Sequence, residues 1–184
     1  MNPPAAPVLA LVGPTAAGKS ALAIEVARQL DAALGGAGGG QPRVEIVSMD
    51  STMVYRGMDI GTDKPSPAEL AAVPHRLVDI ADPSDTLTVA QFQALAREAI
   101  GEIRAAGRIP LLVGGSGLYF RAAVDPLEFP ATDPAVRARL AAEAETVGAA
   151  ALHGRLAALD PGAASAIDPP NVRRTIRALE VIEL

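Results

Sequence analysis

Two groups of residues in this chain carry chemistry. The first is Gly13-Pro14-Thr15-Ala16-Ala17-Gly18-Lys19-Ser20, which fits the P-loop pattern G-x-x-x-x-G-K-[ST]. Glycines let the backbone fold around phosphate oxygens. Backbone N–H groups and the positive end of a following helix then face the anion. Lys19 adds a point charge toward the outer phosphates, and Ser20 offers a hydroxyl to Mg²⁺. A diphosphate or triphosphate is the expected ligand. The motif alone suggests ATP but does not say what is done with the phosphates. The second group centres on Asp50, which ends an apolar run and opens a long polar segment to Pro67. A carboxylate there could hold Mg²⁺ through water. It could also act as a general base toward an incoming nucleophile, or simply cap a turn. Asp79 ends the Arg76–Ile80 run in the same way.

These residues need elements to place them. Val8–Val12 is a continuous apolar run ended by Gly13, and it predicts a buried parallel strand. A helix follows over Lys19–Leu34. Gly35–Gly40 cannot be helix, so 35–42 reads as a flexible linker. Val44–Met49 predicts the second strand and Arg76–Ile80 a short one. Thr88-Val-Ala-Gln91 is a capping box opening a helix to about Ala106. Ile109–Val113 is another buried strand, with a tight turn at Gly114-Gly115-Ser116-Gly117. Asp133-Pro134 reads as an N-cap with proline in the first turn. Helices then continue to the end, broken near Gly148, Pro161 and Pro169-Pro170. The prediction is an α/β fold, a P-loop NTPase-like parallel sheet flanked by helices, with a helical insertion or extension. The expected divisions are a core over 1–130, a helical insertion over 131–168 and a helix over 169–184 that returns to the core.

Bulk properties narrow the classes. The 184 residues suit one core plus a small appendage. Cysteine is absent, which excludes disulfides and thiolate metal sites. No run approaches the roughly 18–20 apolar residues of a membrane span. Met1–Pro7 lacks a basic region and an apolar stretch, so a cytoplasmic location is expected. The net charge of −5 argues weakly against nucleic acid. Arg173, Arg174 and Arg177 form a local basic patch that the total hides. Positions 173 and 177 share a helix face, and the plainer reading is a solvated face paired with Glu180.

Beyond the P-loop, the string Asp50-Ser51-Thr52-Met53-Val54-Tyr55-Arg56-Gly57-Met58-Asp59-Ile60-Gly61-Thr62-Asp63-Lys64-Pro65 resembles the signature of the tRNA dimethylallyltransferases. So do Pro74-His75-Arg76-Leu77-Val78-Asp79, Gly114-Gly115-Ser116-Gly117-Leu118-Tyr119, Asp133–Arg137 and Arg174–Val181, in the family's order. The resemblance implies transfer of a dimethylallyl group from dimethylallyl diphosphate to N6 of adenosine 37, 3′ of the tRNA anticodon. Diphosphate leaves and Mg²⁺ is needed. On this reading the P-loop cradles the diphosphate of an isoprenoid, and Asp50 accepts the N6 proton. Lys19 and the loop amides stabilise the leaving group, and Thr15 reaches the β-phosphate. Ser116 stands where the family usually has Thr and would hold Asp50 or the adenine edge. Asp50, Ser51, Thr52, Met53 and Ser116 are implied tRNA contacts in the anticodon loop, with Arg137, Arg173, Arg174, Thr175, Ile176 and Arg177. Met53 stands where relatives often have Gln.

Family members run on beyond this chain's last helix, so a C-terminally truncated monomer is expected, with activity expected only of the extended chain. The alternatives are a small-molecule or nucleotide kinase, a prenyltransferase acting on free adenine nucleotides, and a non-catalytic P-loop module. The kinases share the loop but normally carry an arginine-bearing lid, for which 148–164 offers only Arg155.

Overall fold

A computed structural model describes residues 6–35 and 42–184. Most of the Gly-rich linker expected at 35–42 falls outside them. The first unit, up to Leu127, is built on four strands. These are β1 (Leu9–Val12), β2 (Val44–Ser48), β3 (His75–Arg76) and β4 (Ile109–Gly114). Their order is β1-β4-β2-β3, and every pairing is parallel. Parallel strands need crossovers. Helices α1 (Lys19–Ala33), α2 (Pro67–Ala72) and α3 (Val89–Ala105) provide them, and α4 (Gly117–Val124) follows β4.

Alternation along the strands builds two cores. Val44, Ile46, Leu111 and Val113 pack against Ala23, Ile24 and Ala27 of α1. Val47, Met49 and Leu112 pack on the other face with Phe92, Ala96 and Ile103 of α3. Each large side chain fully buried in this way contributes about 1.5–3 kcal/mol. One residue breaks the apolar rule. Glu45, the second residue of β2, lies buried. Its carboxylate accepts from Arg76 Nε at 2.8 Å and from Arg108, so the charge is paired where it is desolvated.

The expected strand over Arg76–Ile80 is corrected to two residues. Leu77 and Asp79 have φ of 63° and 55°, and left-handed backbone cannot continue a ladder. The chain nevertheless stays beside residues 53–56. Ile80 N–H donates to Val54 O at 2.8 Å, and Tyr55 pairs with Ala81. Helix α2 opens with a capping box of its own. The Ser66 hydroxyl accepts from Glu69 N–H, and a Glu69 carboxylate oxygen accepts from Ser66 N–H at 2.7 Å. The rule that finds Thr88 and Gln91 finds this one too.

The second unit, from Glu128 on, contains α5 (Pro134–Val147), α6 (Ala149–Leu159), α7 (Pro161–Ser165) and α8 (Val172–Glu183). Gly148 separates α5 from α6 with φ 83°. Asp133, Asp160 and Asn171 cap α5, α7 and α8 with their side chains. Leu140, Leu152, Leu156 and Leu179 form its core. The expected division at 168 is therefore corrected. Helix α8 packs on α5 and α6, because its apolar stripe supplies Leu179, Val172 and Ile176 to that core.

Glu180 ties this unit together. It is fully buried and accepts from Asp133 N–H at 2.9 Å, Arg137 Nη2 at 2.8 Å and Arg177 Nη1 at 2.8 Å. Burial opposes its ionisation, but these donors prevail and push its pKa down to about 2. A carboxyl depressed in the folded state contributes stability above its unfolded pKa, and that contribution is lost as pH falls from about 4.5 through 2. Glu180→Gln should cost on the order of 2–3 kcal/mol at pH 7, since two arginines lose their charge partner. Melting curves of both proteins from pH 7 to pH 2.5 check this. The gap between them should narrow below pH 4.5.

Candidate active site

The phosphate loop runs from Gly13 to Gly18, between β1 and α1. Its path needs left-handed backbone at Ala16, φ 64°, and Gly18, φ 73°. The amino end of α1 is thereby turned toward the loop. Lys19 curls back over it, with Nζ donating to Pro14 O at 2.6 Å. The turn after β4 closes the other side. A side-chain carbon at Gly115 would stand 3.1 Å from Gly13 O, 3.6 Å from Thr15 Oγ1 and 3.7 Å from Lys19 Nζ. Glycine at 115 is what lets that turn approach the cradle. Ser20 Oγ donates to Asp63 Oδ2 at 3.2 Å.

Asp50 stands two residues beyond β2. Its Oδ1 accepts from Thr52 N–H at 2.7 Å and from Thr52 Oγ1 at 2.6 Å. This Asx-type turn fixes the carboxylate. Both bonds fall on Oδ1, so Oδ2 has no donor among the described residues. Ser48 Oγ donates to Met53 Sδ at 3.4 Å, fixing that side chain. Tyr119 stacks obliquely on Phe92, with ring centroids 4.4 Å apart. Burial raises its pKa, and the charges of Tyr55 and Asp50 add to the effect.

One cavity of about 430 Å³ brings these residues together, within the ~300–1,000 Å³ range of small-ligand sites. Thr15, Ala16, Lys19, Ser20, Asp50, Ser51, Thr52, Met53 and Ser116 all line it. Gly13, Pro14, Ala17 and Gly18 belong to the same loop but do not line the cavity. Ser116 precedes α4, and its side chain makes no capping bond, so the hydroxyl is available to a ligand.

Among the lining residues with no role assigned from sequence are Asp63, Lys64 and His75. Asp63 meets the end of the loop, accepting from Ser20 Oγ. Lys64 is 6% exposed, and its Nζ donates to Asp79 at 2.6 Å and to Asp59 at 2.9 Å. Burial works against the charge on Lys64, but those two carboxylates outweigh it and raise its pKa. Asp79 is thus a loop anchor. His75 is the third. Burial lowers its pKa, so its ring is neutral, and Nδ1 lies 2.8 Å from Val73 O. The ring nitrogen that can accept is then Nε2. The signal for Lys64 was its place in the long segment and that for Asp79 its place at the end of the Arg76–Ile80 run, but no spacing rule pairs them.

The remaining expected contacts belong to the helical unit. Arg173 and Arg174 are exposed on α8. Arg137 and Arg177 hold Glu180, and Arg177 also donates to Pro130 O and Ala131 O. The plainer reading, pairing with Glu180, therefore holds for Arg177. Thr175 is redirected. It is buried, and its hydroxyl donates to Asn171 O at 3.2 Å. Ile176 packs against the unit's core.

Known proteins resemble this chain closely. A family model described as IPP transferase matches residues 53–184. The tRNA dimethylallyltransferase of Bifidobacterium longum (strain NCC 2705) is 57% identical over 177 residues, covering 96% of this chain and 52% of its own length. That of Streptomyces coelicolor is 57% identical over 182 residues, covering 99% and 54%. The crystal structure of the full-length tRNA isopentenylpyrophosphate transferase of Bacillus halodurans superposes with a TM-score of 0.57 at 45% identity, covering 96% of this chain and 55% of that one. A eukaryotic dimethylallyltransferase acting on tRNA gives a TM-score of 0.73 at 25% identity, covering 95% and 40%. The chain spans about half the length of the curated relatives it matches.

Proposed function

This chain belongs to the IPP transferase family, and from that premise we propose that, at the length of its relatives, it transfers a dimethylallyl group from dimethylallyl diphosphate to N6 of adenosine 37 in the tRNA anticodon loop. The observation that carries the reading is the shared cavity: the phosphate loop and Asp50 open onto the same space.

The chemistry follows from the side chains. N6 attacks the first carbon of the dimethylallyl group, the carbon–oxygen bond breaks, and diphosphate leaves. The N6 proton passes to Asp50, whose Oδ2 is open while Thr52 holds Oδ1. Lys19 and the loop amides stabilise charge gathering on the departing diphosphate. The Ser20 hydroxyl and Asp63 carboxylate are hard oxygen donors on the cavity wall, which suits Mg²⁺. No cluster of three His, Cys, Asp or Glu exists among the described residues. That fits a cation held mainly by substrate phosphates and water. When bound, it would supply Lewis-acid stabilisation of the leaving group. Thr15 would contact the β-phosphate, and Ser116 the adenine edge.

The target base must be extruded from its loop to reach the cavity. Ser51, Thr52 and Met53 are the contacts proposed nearest it. Exposed Arg173 and Arg174 would neutralise phosphates on the RNA. Arg137 and Arg177 would add partial charge, because Glu180 already pairs them. Among the described residues no helix is long and apolar enough to cross a membrane, and a tRNA substrate implies a cytoplasmic setting.

The test is transfer of label from radiolabelled dimethylallyl diphosphate to unmodified tRNA, using the chain extended to its relatives' length. Digestion should yield N6-dimethylallyladenosine from a transcript with A37 and none from one with G37. Label in both would contradict the stated target.

A further inference from the structure

Asp63 is the carboxylate on the cavity wall with the fewest ties. Asp50 is held by Thr52, and Glu69 belongs to the Ser66 capping box. Asp63 has one described partner, the Ser20 hydroxyl, at 3.2 Å. Its backbone is left-handed, φ 53°, a region that non-glycine residues occupy sparsely and that often marks a functional position. Its neighbours hold it there. Thr62 is buried and donates to Met58 O at 2.6 Å. Lys64 is pinned between Asp59 and Asp79. The carboxylate is therefore presented to the phosphate loop by an anchored segment.

That placement is awkward for an anion site. A negative charge beside Ser20, in the cavity that Lys19 also lines, would repel a diphosphate unless a cation lies between them. The oxygen spacing suits one. Adjacent ligands of an octahedral Mg²⁺, each about 2.1 Å from the metal, lie about 3 Å apart, and Ser20 Oγ and Asp63 Oδ2 are 3.2 Å apart. The geometry points to Asp63 as a protein ligand, beside Ser20, for the divalent cation that accompanies the diphosphate. This assignment rests on the cation-assisted diphosphate site proposed above. Asp63 then contributes affinity for the metal and makes diphosphate binding depend on it.

The alternative role is a hydrogen-bond acceptor that latches the 61–65 segment to the loop. Asp63→Asn separates the two, since asparagine keeps the acceptor and tolerates left-handed backbone. Mn²⁺ binding is read from the electron paramagnetic resonance of free Mn²⁺, with and without inorganic pyrophosphate, each against a protein-free control at the same pyrophosphate concentration, because pyrophosphate itself chelates Mn²⁺. With pyrophosphate present, Asp63→Asn should weaken Mn²⁺ binding by about tenfold or more. Without metal, pyrophosphate binding by calorimetry should be unchanged or tighter, because a repelling charge is gone. Asp63→Gly should behave the same way and guards against a fold defect in the first variant. Equal Mn²⁺ affinity in wild type and Asp63→Asn would overturn the assignment while leaving the diphosphate site standing. A wild-type chain that binds no Mn²⁺ even with pyrophosphate would overturn both.

Discussion

Asp50→Asn is expected to slow dimethylallyl transfer by roughly 10²–10⁴-fold, with little change in the KM for dimethylallyl diphosphate. Both bonds from Thr52 end on Oδ1, and the asparagine carbonyl can accept both. The turn therefore survives the change. What is lost is the second oxygen, which would take the N6 proton. An exocyclic amine is a poor nucleophile, so proton removal belongs to the step that forms the new bond. Single-turnover rates on the chain extended to its relatives' length measure this, with dimethylallyl diphosphate binding followed separately. An unchanged rate would remove Asp50 from the base role and leave it a turn residue.

The second large effect concerns stability. A side-chain carbon at Gly114 would stand 2.5 Å from Met49 O, 2.7 Å from Met49 Cβ and 2.8 Å from the Met49 carbonyl carbon. Met49 is fully buried, and its N–H donates to Val113 O at 2.8 Å. The obstacle is mostly backbone, which cannot swing aside as a long side chain can. Gly114→Ala must push the ends of β2 and β4 apart. The expected cost is about 3 kcal/mol or more. Gly101 in α3 is the control, since a carbon added there meets nothing within 4 Å. Gly101→Ala should stabilise by about 0.5–1 kcal/mol, the ordinary gain inside a helix. Urea denaturation of the two variants should show opposite shifts. A Gly114→Ala protein as stable as wild type would mean that the strand ends are looser than the packing implies.

Much of this arrangement is legible in the residues. Ile109–Val113 reads as a buried strand because its apolar run is short, continuous and ended by glycine, and it is one. Val8–Val12 reads the same way and does form a strand, but its expected burial is corrected, because β1 ends the sheet order and leaves Val8 and Val12 exposed. Thr88 and Asp133 announce their helices because caps act over three residues. The P-loop and Asp50 could be placed at a sheet edge for the same reason: each follows such a run. Longer-range facts were not legible. The amphipathic pattern of α8 says that one face is buried but not against what, so its place with α5 and α6 was missed. Glu180 reads as a surface partner for Arg177, yet it is buried, because Arg137 and the Asp133 backbone arrive from 43 and 47 residues away. β3 ends early through left-handed backbone at Leu77 and Asp79; aspartate visits that region occasionally, but no propensity of leucine foretells it. Asp63 meets Ser20 across 43 positions, a pairing that only the folded loop creates.

On the proposed function, the Gly13–Ser20 cradle holds the leaving group of an isoprenoid diphosphate. Calorimetric titration of this chain in Mg²⁺ with dimethylallyl diphosphate, and separately with ATP, tests it most directly. Dimethylallyl diphosphate should bind saturably, Lys19→Ala should abolish that binding, and ATP should bind more weakly. Saturable binding of ATP, with no binding of dimethylallyl diphosphate, would contradict it.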